Sequence, residues 1–321
     1  MKAVAKAPAN IALIKFWGKR DENLRLPKNS SISINLSEIF TVTSVDFSGG
    51  LDDDGVVIDG IKVDGKEKER VITHIDRIRK MAGIKSKVAV SSRNNFPKGT
   101  GLASSASGFA ALSLAATKAA GLELDERYLS ILARLGSGSA CRSIPDGWVE
   151  WKEGDTSDKS YAHSLFGTNY WDVCDVVVVV GSFGKKVSST EGHALVESSP
   201  FYTSRIKGMK QKIADIKRAI KSEDFTKMGE ILETEAINMH VVMMTSGPSL
   251  FYWSPKTLEV MLLVQEWRGN GLESYFTIDA GPNVHLICMK KDVNKLKMKL
   301  SMIEGIEKII VNGVANGARL V

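Results

Sequence analysis

The sequence predicts an α+β protein. Its first half is built of short runs in which apolar and polar residues alternate, while its second half repeats apolar residues at helical spacing, with a seam near 181–190. Strands and helices are segregated rather than regularly alternating, which argues against a doubly wound parallel sheet. The length of 321 residues suits one large α/β unit or two closely joined domains. The seam divides the chain into an N-terminal domain, 1–183, and a C-terminal domain, 184–321.

The elements follow in order. Residues 2–19 open with short apolar runs broken by Pro8 and Asn10, giving a strand, a tight connection and a segment that carries Lys15 and Lys19. Ile32, Ile34 and Leu36 alternate with polar neighbours, and 41–47 and 55–65 continue what reads as an antiparallel meander. Over 66–83, Val71, Ile72, Ile75, Ile78 and Met81 recur at helical spacing before Gly83, a natural left-handed C-cap. A strand over 87–93 leads into a Gly/Ser-rich stretch and an Ala/Leu-rich helix. Asp125 caps a further helix that ends in GSGSACRS, residues 136–143. After a strand at Trp148–Trp151 and a polar connection, the valine run of 175–181 makes a buried strand. Residues 188–201 read as a loop with capping-box chemistry. Two helices fill 200 to 243 and a third begins at Pro255; a strand–turn–strand (275–289), a Lys-rich helix (292–302) and a last strand (308–314) complete the chain.

Composition narrows the function classes. The net charge of +6 comes from 43 basic and 37 acidic residues that are dispersed along the chain. It fits a positive cleft for a small anion as well as a weakly supported nucleic-acid surface, and no nucleic-acid partner is expected. Three cysteines, an odd number without metal-ligand spacing, suit free thiols in a reducing cytosol. The opening MKAVAKAPAN lacks the apolar core of a signal peptide, and the aliphatic run Val176–Val180 is too short to span a bilayer. A cytoplasmic protein without membrane attachment is expected.

The most informative stretch is PKGTGLASSASGFAALSLAATKAAG, residues 97–121. Glycines before a helix let backbone N–H groups approach an anion closely, and the helix N-terminus adds partial positive charge. Ser104 and Ser105 either cap that helix or also bind phosphate oxygens and a phosphate-bound Mg²⁺. GIKVDGKE at 60–67 mimics a P-loop but places Glu67 where a Mg²⁺-binding hydroxyl is needed. Three charged residues stand in unusual settings. Lys15 interrupts the apolar run Ile11–Trp17, so it is either a surface lysine or a buried one that requires an anion. Arg142 sits among small residues that let a guanidinium fork reach a carboxylate or phosphate. Asp279 is either turn chemistry before Gly281-Pro282 or a carboxylate delivered into a cleft by a strand. His74 and His193 have no partner spacing that suggests a metal.

Taken together, these motifs carry a resemblance. PKGTGLASSASGFAAL resembles the phosphate-binding loop of the GHMP kinase superfamily. ANIALIKFWGKRDENLRLPKNSSISINL, GSGSACRS and FTIDAGPN resemble, in order, the signature segments of diphosphomevalonate decarboxylases. The resemblance implies a two-lobed GHMP-kinase-like fold, with a ribosomal-protein-S5-domain-2-like first lobe and the active site between the lobes. It implies a homodimer that uses Mg-ATP to phosphorylate the 3-hydroxyl of mevalonate 5-diphosphate, then releases phosphate and CO₂ to leave isopentenyl diphosphate. Asp279 would act on the 3-hydroxyl, Lys15 would sit beside it, and Arg142 would hold the substrate carboxylate. Gly99, Gly101, Ser104, Ser105 and Ser107 would cradle the ATP phosphates, with Ser105 on Mg²⁺. Asn10, Phe16, Lys19, Arg70, Ser137, Gly138, Ser139 and His193 would line the substrate. Two positions depart from the family pattern: Phe16 stands where a tyrosine is usual, and Lys98 where the loop is usually small and neutral. Some relatives act on mevalonate 5-phosphate, or on a 3,5-bisphosphate without ATP, to give isopentenyl phosphate. A non-catalytic homologue that only binds phosphate ligands is the reading from a different class.

Overall fold

The computed structural model describes residues 1–48, 50–96, 104–181 and 187–321. The first sheet is built on two long strands, β1 (Lys2–Ile14) and β4 (Ser31–Ser48), linked through the small hairpin of β2 (Lys19–Asp21) and β3 (Leu26–Pro27). The break expected at Pro8 and Asn10 is absorbed by register shifts at Pro8/Asn10 and Ala12/Ile14, so β1 bends without ending. Next come β5 (Gly55–Ile58), β6 (Ile61–Lys62), α1 (Gly65–Ala82) and β7 (Lys87–Asn94). Gly83 takes the left-handed C-cap of α1, as its position predicts.

The antiparallel meander needs correction at one pair. β5 runs parallel to β7, because α1 intervenes and serves as the crossover a parallel pair requires. The Ala/Leu-rich helix α2 (Ser104–Ala119) lies under β1 and β4, and α3 (Glu126–Gly136) starts at Asp125, whose carboxylate accepts from the Tyr128 N–H. A 3₁₀ turn over Gly138–Ser143 follows, then β8 (Trp148–Trp151) and β9 (Ala162–Phe166), a strand within what the sequence predicts as a polar connection.

The second sheet is β11 (Ser274–Thr277), β12 (Val284–Met289), β10 (Val173–Val179) and β13 (Lys308–Gly313), in that spatial order. Strand β10 therefore pairs within the second sheet although it precedes the boundary expected at 183. Its residues are buried on both faces: Val177 and Val179 enter one core, Val176 and Val178 another. That double burial explains a valine run without alternation. Residues 188–201, expected as a loop, contain the short helix α4 (Ser189–Ala194), with the capping box between Ser188 and Glu191. Helices α5 (Tyr202–Lys221), α6 (Phe225–Met244), α7 (Pro255–Gly269) and α8 (Val293–Leu300) complete this lobe. The last short strand, β14 (Arg319–Leu320), returns to pair with β1.

One core joins the lobes: Ile11, Leu13 and Ile34 pack with Val177, Ile216 and Leu232. Gly229 on α6 faces the Tyr275 ring so closely that an added Cβ would overlap it. Gly229→Ala is expected to cost about 1–3 kcal/mol. Gly208→Ala, mid-helix in open space on α5, should instead stabilise by roughly 0.5–1 kcal/mol. Chemical denaturation of both variants tests the α6–β11 contact; equal stabilities would refute it.

Candidate active site

A cavity of about 420 Å³ lies where the end of β1, the start of α2, the Ser137–Arg142 turn, α4 and the β11–β12 turn converge. β1 ends in an apolar run buried against both lobes, so the next residue is delivered into the interior. That residue, Lys15, is 1% exposed. Its ammonium donates to Asp279 Oδ1 at 2.7 Å. Asp279 comes from the opposite lobe, at the turn after β11.

Burial pulls the Lys15 pKa below the usual lysine range, and the neighbouring Asp279 only partly restores it. Burial also opposes the Asp279 charge, but the Lys15 ammonium outweighs it and holds the carboxyl below the ordinary range. Each partner thus favours the charged form of the other, against the burial that opposes both. The pair is asymmetric: the Asp279 side chain remains 29% exposed to the cavity.

The main chain of Lys15 is clamped from behind. Its N–H donates to Glu235 Oε1 at 3.2 Å, and its carbonyl accepts from Asn29 Nδ2 at 3.0 Å and Arg205 Nη2 at 3.4 Å. Glu235 is fully buried and also receives Arg205 and Lys212, each at 2.5 Å. These cations lower its pKa against the opposing effect of burial.

Arg142 is 4% exposed and lines the cavity. Its Nε donates to Asn10 Oδ1 at 3.2 Å and its Nη1 to Ser31 Oγ at 2.8 Å. Both acceptors are neutral, which leaves the guanidinium charge available to an incoming carboxylate. Asn10 itself is 2% exposed and donates to Ser143 Oγ at 2.8 Å and Ser139 O at 3.2 Å. It supports Arg142 rather than lining the cavity, a correction to its expected role.

Ser107 needs a similar correction: fully buried, its hydroxyl pairs with Thr41 Oγ1 at 2.7 Å, away from the cavity. Ser104 and Ser105 do line it, and Ser137 Oγ donates to Ser105 Oγ at 3.2 Å. Gly99, Gly101 and Lys98 lie outside the described residues. Phe16, Lys19, Arg70, Gly138 and Ser139 all reach the wall, as does His193.

The His193 ring is packed between Phe16 and Trp17, with centroid distances of 4.4 and 4.3 Å. Its Nδ1 accepts the Gly18 N–H at 2.8 Å, which leaves the proton on Nε2. Burial, reinforced by Lys19 and Arg25, keeps the ring neutral. Sequence reasoning missed Trp17, Arg25, Met239 and the Ser188–Thr190 start of α4, which also line the cavity. The capping-box signature at Ser188 was the available signal for the last of these. Among the described residues no cluster of three potential metal ligands occurs, and no helix is long and apolar enough to cross a membrane.

Residues 7–162 match the sequence model of the diphosphomevalonate decarboxylase-like N-terminal domain, and residues 175–313 that of the mevalonate 5-diphosphate decarboxylase C-terminal domain. The chain belongs to the diphosphomevalonate decarboxylase family. Diphosphomevalonate decarboxylase from Candida albicans is 36% identical over 88% of this chain and 82% of its own length. Phosphomevalonate decarboxylase from Haloferax volcanii is 31% identical over 92% and 91%. The solved complex of MDDEF with MVAPP, AMPPCP and magnesium superposes with a TM-score of 0.94 at 37% identity, covering 100% of this chain and 99% of the other. The fold is the GHMP-kinase fold of these decarboxylases.

The Glu235 clamp yields a pH-resolved test. Glu235→Gln leaves Arg205 buried without its anion and should cost roughly 3–5 kcal/mol at pH 7. Because the folded-state pKa of Glu235 is depressed, the wild-type advantage is present above the ordinary glutamate range and is lost as pH falls through the folded value. Urea titrations at pH 7 and below pH 4.5 should show the gap narrowing on acidification. A gap independent of pH would refute the charged clamp.

Proposed function

We propose that this protein catalyses ATP-dependent decarboxylation of mevalonate 5-diphosphate to isopentenyl diphosphate, with release of ADP, phosphate and CO₂. The observation that carries the reading is the 2.7 Å Lys15–Asp279 pair facing the same cavity as a guanidinium with no carboxylate partner among the described residues. In this reading Asp279 acts on the 3-hydroxyl either as the base that accepts its proton or as the anion that stabilises positive charge developing at the tertiary carbon. Lys15 keeps Asp279 ionised, and Arg142 orients the substrate carboxylate for departure as CO₂. Lys19, Arg25 and Arg70 hold the phosphate end. Ser137, Gly138 and Ser139 line the mevalonate backbone.

The residues present fit a nucleotide triphosphate. Ser104 and Ser105 open α2, a helix of 16 residues, and its first-turn N–H groups suit phosphate oxygens. An adjoining pocket of about 150 Å³ shares Ser104, Ser105 and Arg70 with the main cavity; its wall includes apolar Val56, Ile58, Phe109 and Leu112 beside polar Thr41, Glu67, Ser92 and Asn94, a mixture suited to a nucleobase. Ser105 would contribute to holding Mg²⁺. When bound, Mg-ATP supplies the phosphoryl group that turns the 3-hydroxyl into a leaving group.

A second substrate reading has its own support. Phe16 brings no hydroxyl to the cavity wall, His193 offers a single neutral donor, and the Haloferax volcanii relative is a phosphomevalonate decarboxylase. One experiment decides between them: incubate the protein with mevalonate 5-phosphate, 5-diphosphate and 3,5-bisphosphate, with and without ATP, and measure CO₂. The diphosphate with ATP is expected to be the best substrate. Preference for the 5-phosphate would establish the second reading, and turnover of the bisphosphate without ATP would overturn ATP dependence. Asp279→Asn should lower kcat by about 10²–10⁴-fold; full activity in that variant would refute the mechanism, and a wild-type protein that binds but never releases CO₂ would be the non-catalytic homologue.

We further propose a cytoplasmic homodimer. Helix α7 buries Val260, Val264 and Trp267, yet Leu258 and Leu262 on its other face are 46% and 67% exposed. A helix apolar on both faces calls for cover on both, and a second copy is the proposed occupant. Light scattering should give twice the chain mass, reduced to one in Leu262→Glu; a monomeric wild type would refute it.

A further inference from the structure

A second basic hollow, of about 320 Å³, opens beside the catalytic cavity between α1 and the end of α3. Arg25 and Arg70 line both spaces, whereas Arg77 and Lys66 line only the hollow. Lys66, Arg70, Thr73 and Arg77 follow one another at three- and four-residue steps on one face of α1. Four cations meet a single carboxylate there, Glu69.

Among the described residues no ion pair engages Arg25, Arg70 or Arg77. Their hydrogen bonds use only part of the guanidinium forks: Arg25 Nε donates to Leu135 O at 3.2 Å, and Arg70 Nη2 to Gly136 O at 3.1 Å. The remaining donors are free for an anion. Arg25 also pays for its place in the backbone. It adopts φ of 51°, a left-handed conformation that favours glycine or asparagine over a bulky side chain. A turn that needed only this geometry would be better served by Gly, so the guanidinium is the reason for arginine.

The field is felt next door. Buried His74 is pushed down to about 3 by burial first, and then by the charges of Arg77, Arg70 and Arg25. Three guanidinium groups held together with less counter-charge than their own repel one another, and that repulsion is relieved when a dianion enters.

We propose that Arg25, Arg70 and Arg77, aided by Lys66, form a second oxyanion site that takes a phosphoryl dianion beside the catalytic cavity. The site stands on its own geometry, and binding to it is measurable without turnover. The dianion is either free phosphate or the terminal phosphate of a ligand whose body occupies the cavity, reached through the shared Arg25 and Arg70.

Isothermal titration with inorganic phosphate separates these sources. Wild-type protein is expected to bind phosphate, Arg77→Gln to bind it roughly tenfold more weakly, and Lys66→Gln a few-fold more weakly. Phosphate that still binds to protein saturated with mevalonate 5-diphosphate identifies the free ion as occupant. Phosphate displaced by that substrate, with a raised substrate Kd in Arg77→Gln, identifies the terminal phosphate. Both outcomes support the site. Circular dichroism checks the fold of each variant, and Arg77→Lys, which keeps the charge, should retain most of the affinity. Undetectable phosphate binding by wild type, or equal affinity across wild type, Arg77→Gln and Lys66→Gln, would overturn the proposal.

Discussion

The structure depends on one buried ion pair between its lobes. At 2.7 Å, Lys15 and Asp279 attract by about 6 kcal/mol at an effective dielectric of 20. Taking both charges out of water costs several kcal/mol for each ion. The attraction does not comfortably cover that cost, so the pair is a poor device for stability. Its location is better explained by reactivity: Lys15 is sealed while the Asp279 carboxylate keeps an opening to the cavity. The cost is met by the surrounding core, which joins β1 and β4 to β10, α5 and α6.

The buried clamp behind Lys15 follows from the same constraint. A lysine ammonium on a flexible stem finds a carboxylate reproducibly only if its own backbone is fixed. Glu235, Arg205 and Asn29 fix both the N–H and the carbonyl of residue 15. Thr277 Oγ1 donates to Ala12 O at 3.4 Å, tying the strand that carries Asp279 to the strand that carries Lys15. Movement of α5 and α6 would therefore be transmitted directly to the reacting centre.

Much of this was legible in the chain, for identifiable reasons. Lys15 announced itself by interrupting an apolar run, and Asp279 by ending a strand at a tight turn. The helices declared themselves through spacing and caps such as Asp125 and Gly83. Less legible was whatever depends on partners far apart in sequence. Glu235 lies 220 residues from Lys15, and nothing local distinguishes it from a solvated helical glutamate. The parallel pairing of β5 and the placement of β10 are likewise long-range facts. Asn10 and Ser107 have the chemistry of ligand contacts, yet burial commits both to protein partners. Arg25 was hidden because its signal is a backbone angle, not a residue pattern.

The charges in the cavity form a gradient, and the gradient has a catalytic meaning. At the reacting centre the Lys15 cation is matched by Asp279, so only Arg142 presents uncompensated charge. Toward the proposed phosphate end Arg25 and Arg70 make no ion pair among the described residues, and Lys19 is shared with the exposed Glu22. In the proposed reading the substrate is thus held mainly by its 5-phosphate end, which takes no part in bond breaking. Grip of that kind is the same in the ground state and the transition state, so it secures binding without deepening the well at the reacting carbon. The matched pair can then respond to charge that appears only as the phosphoryl group and CO₂ depart. A cavity with its strongest field at the substrate carboxylate would do the reverse and resist decarboxylation.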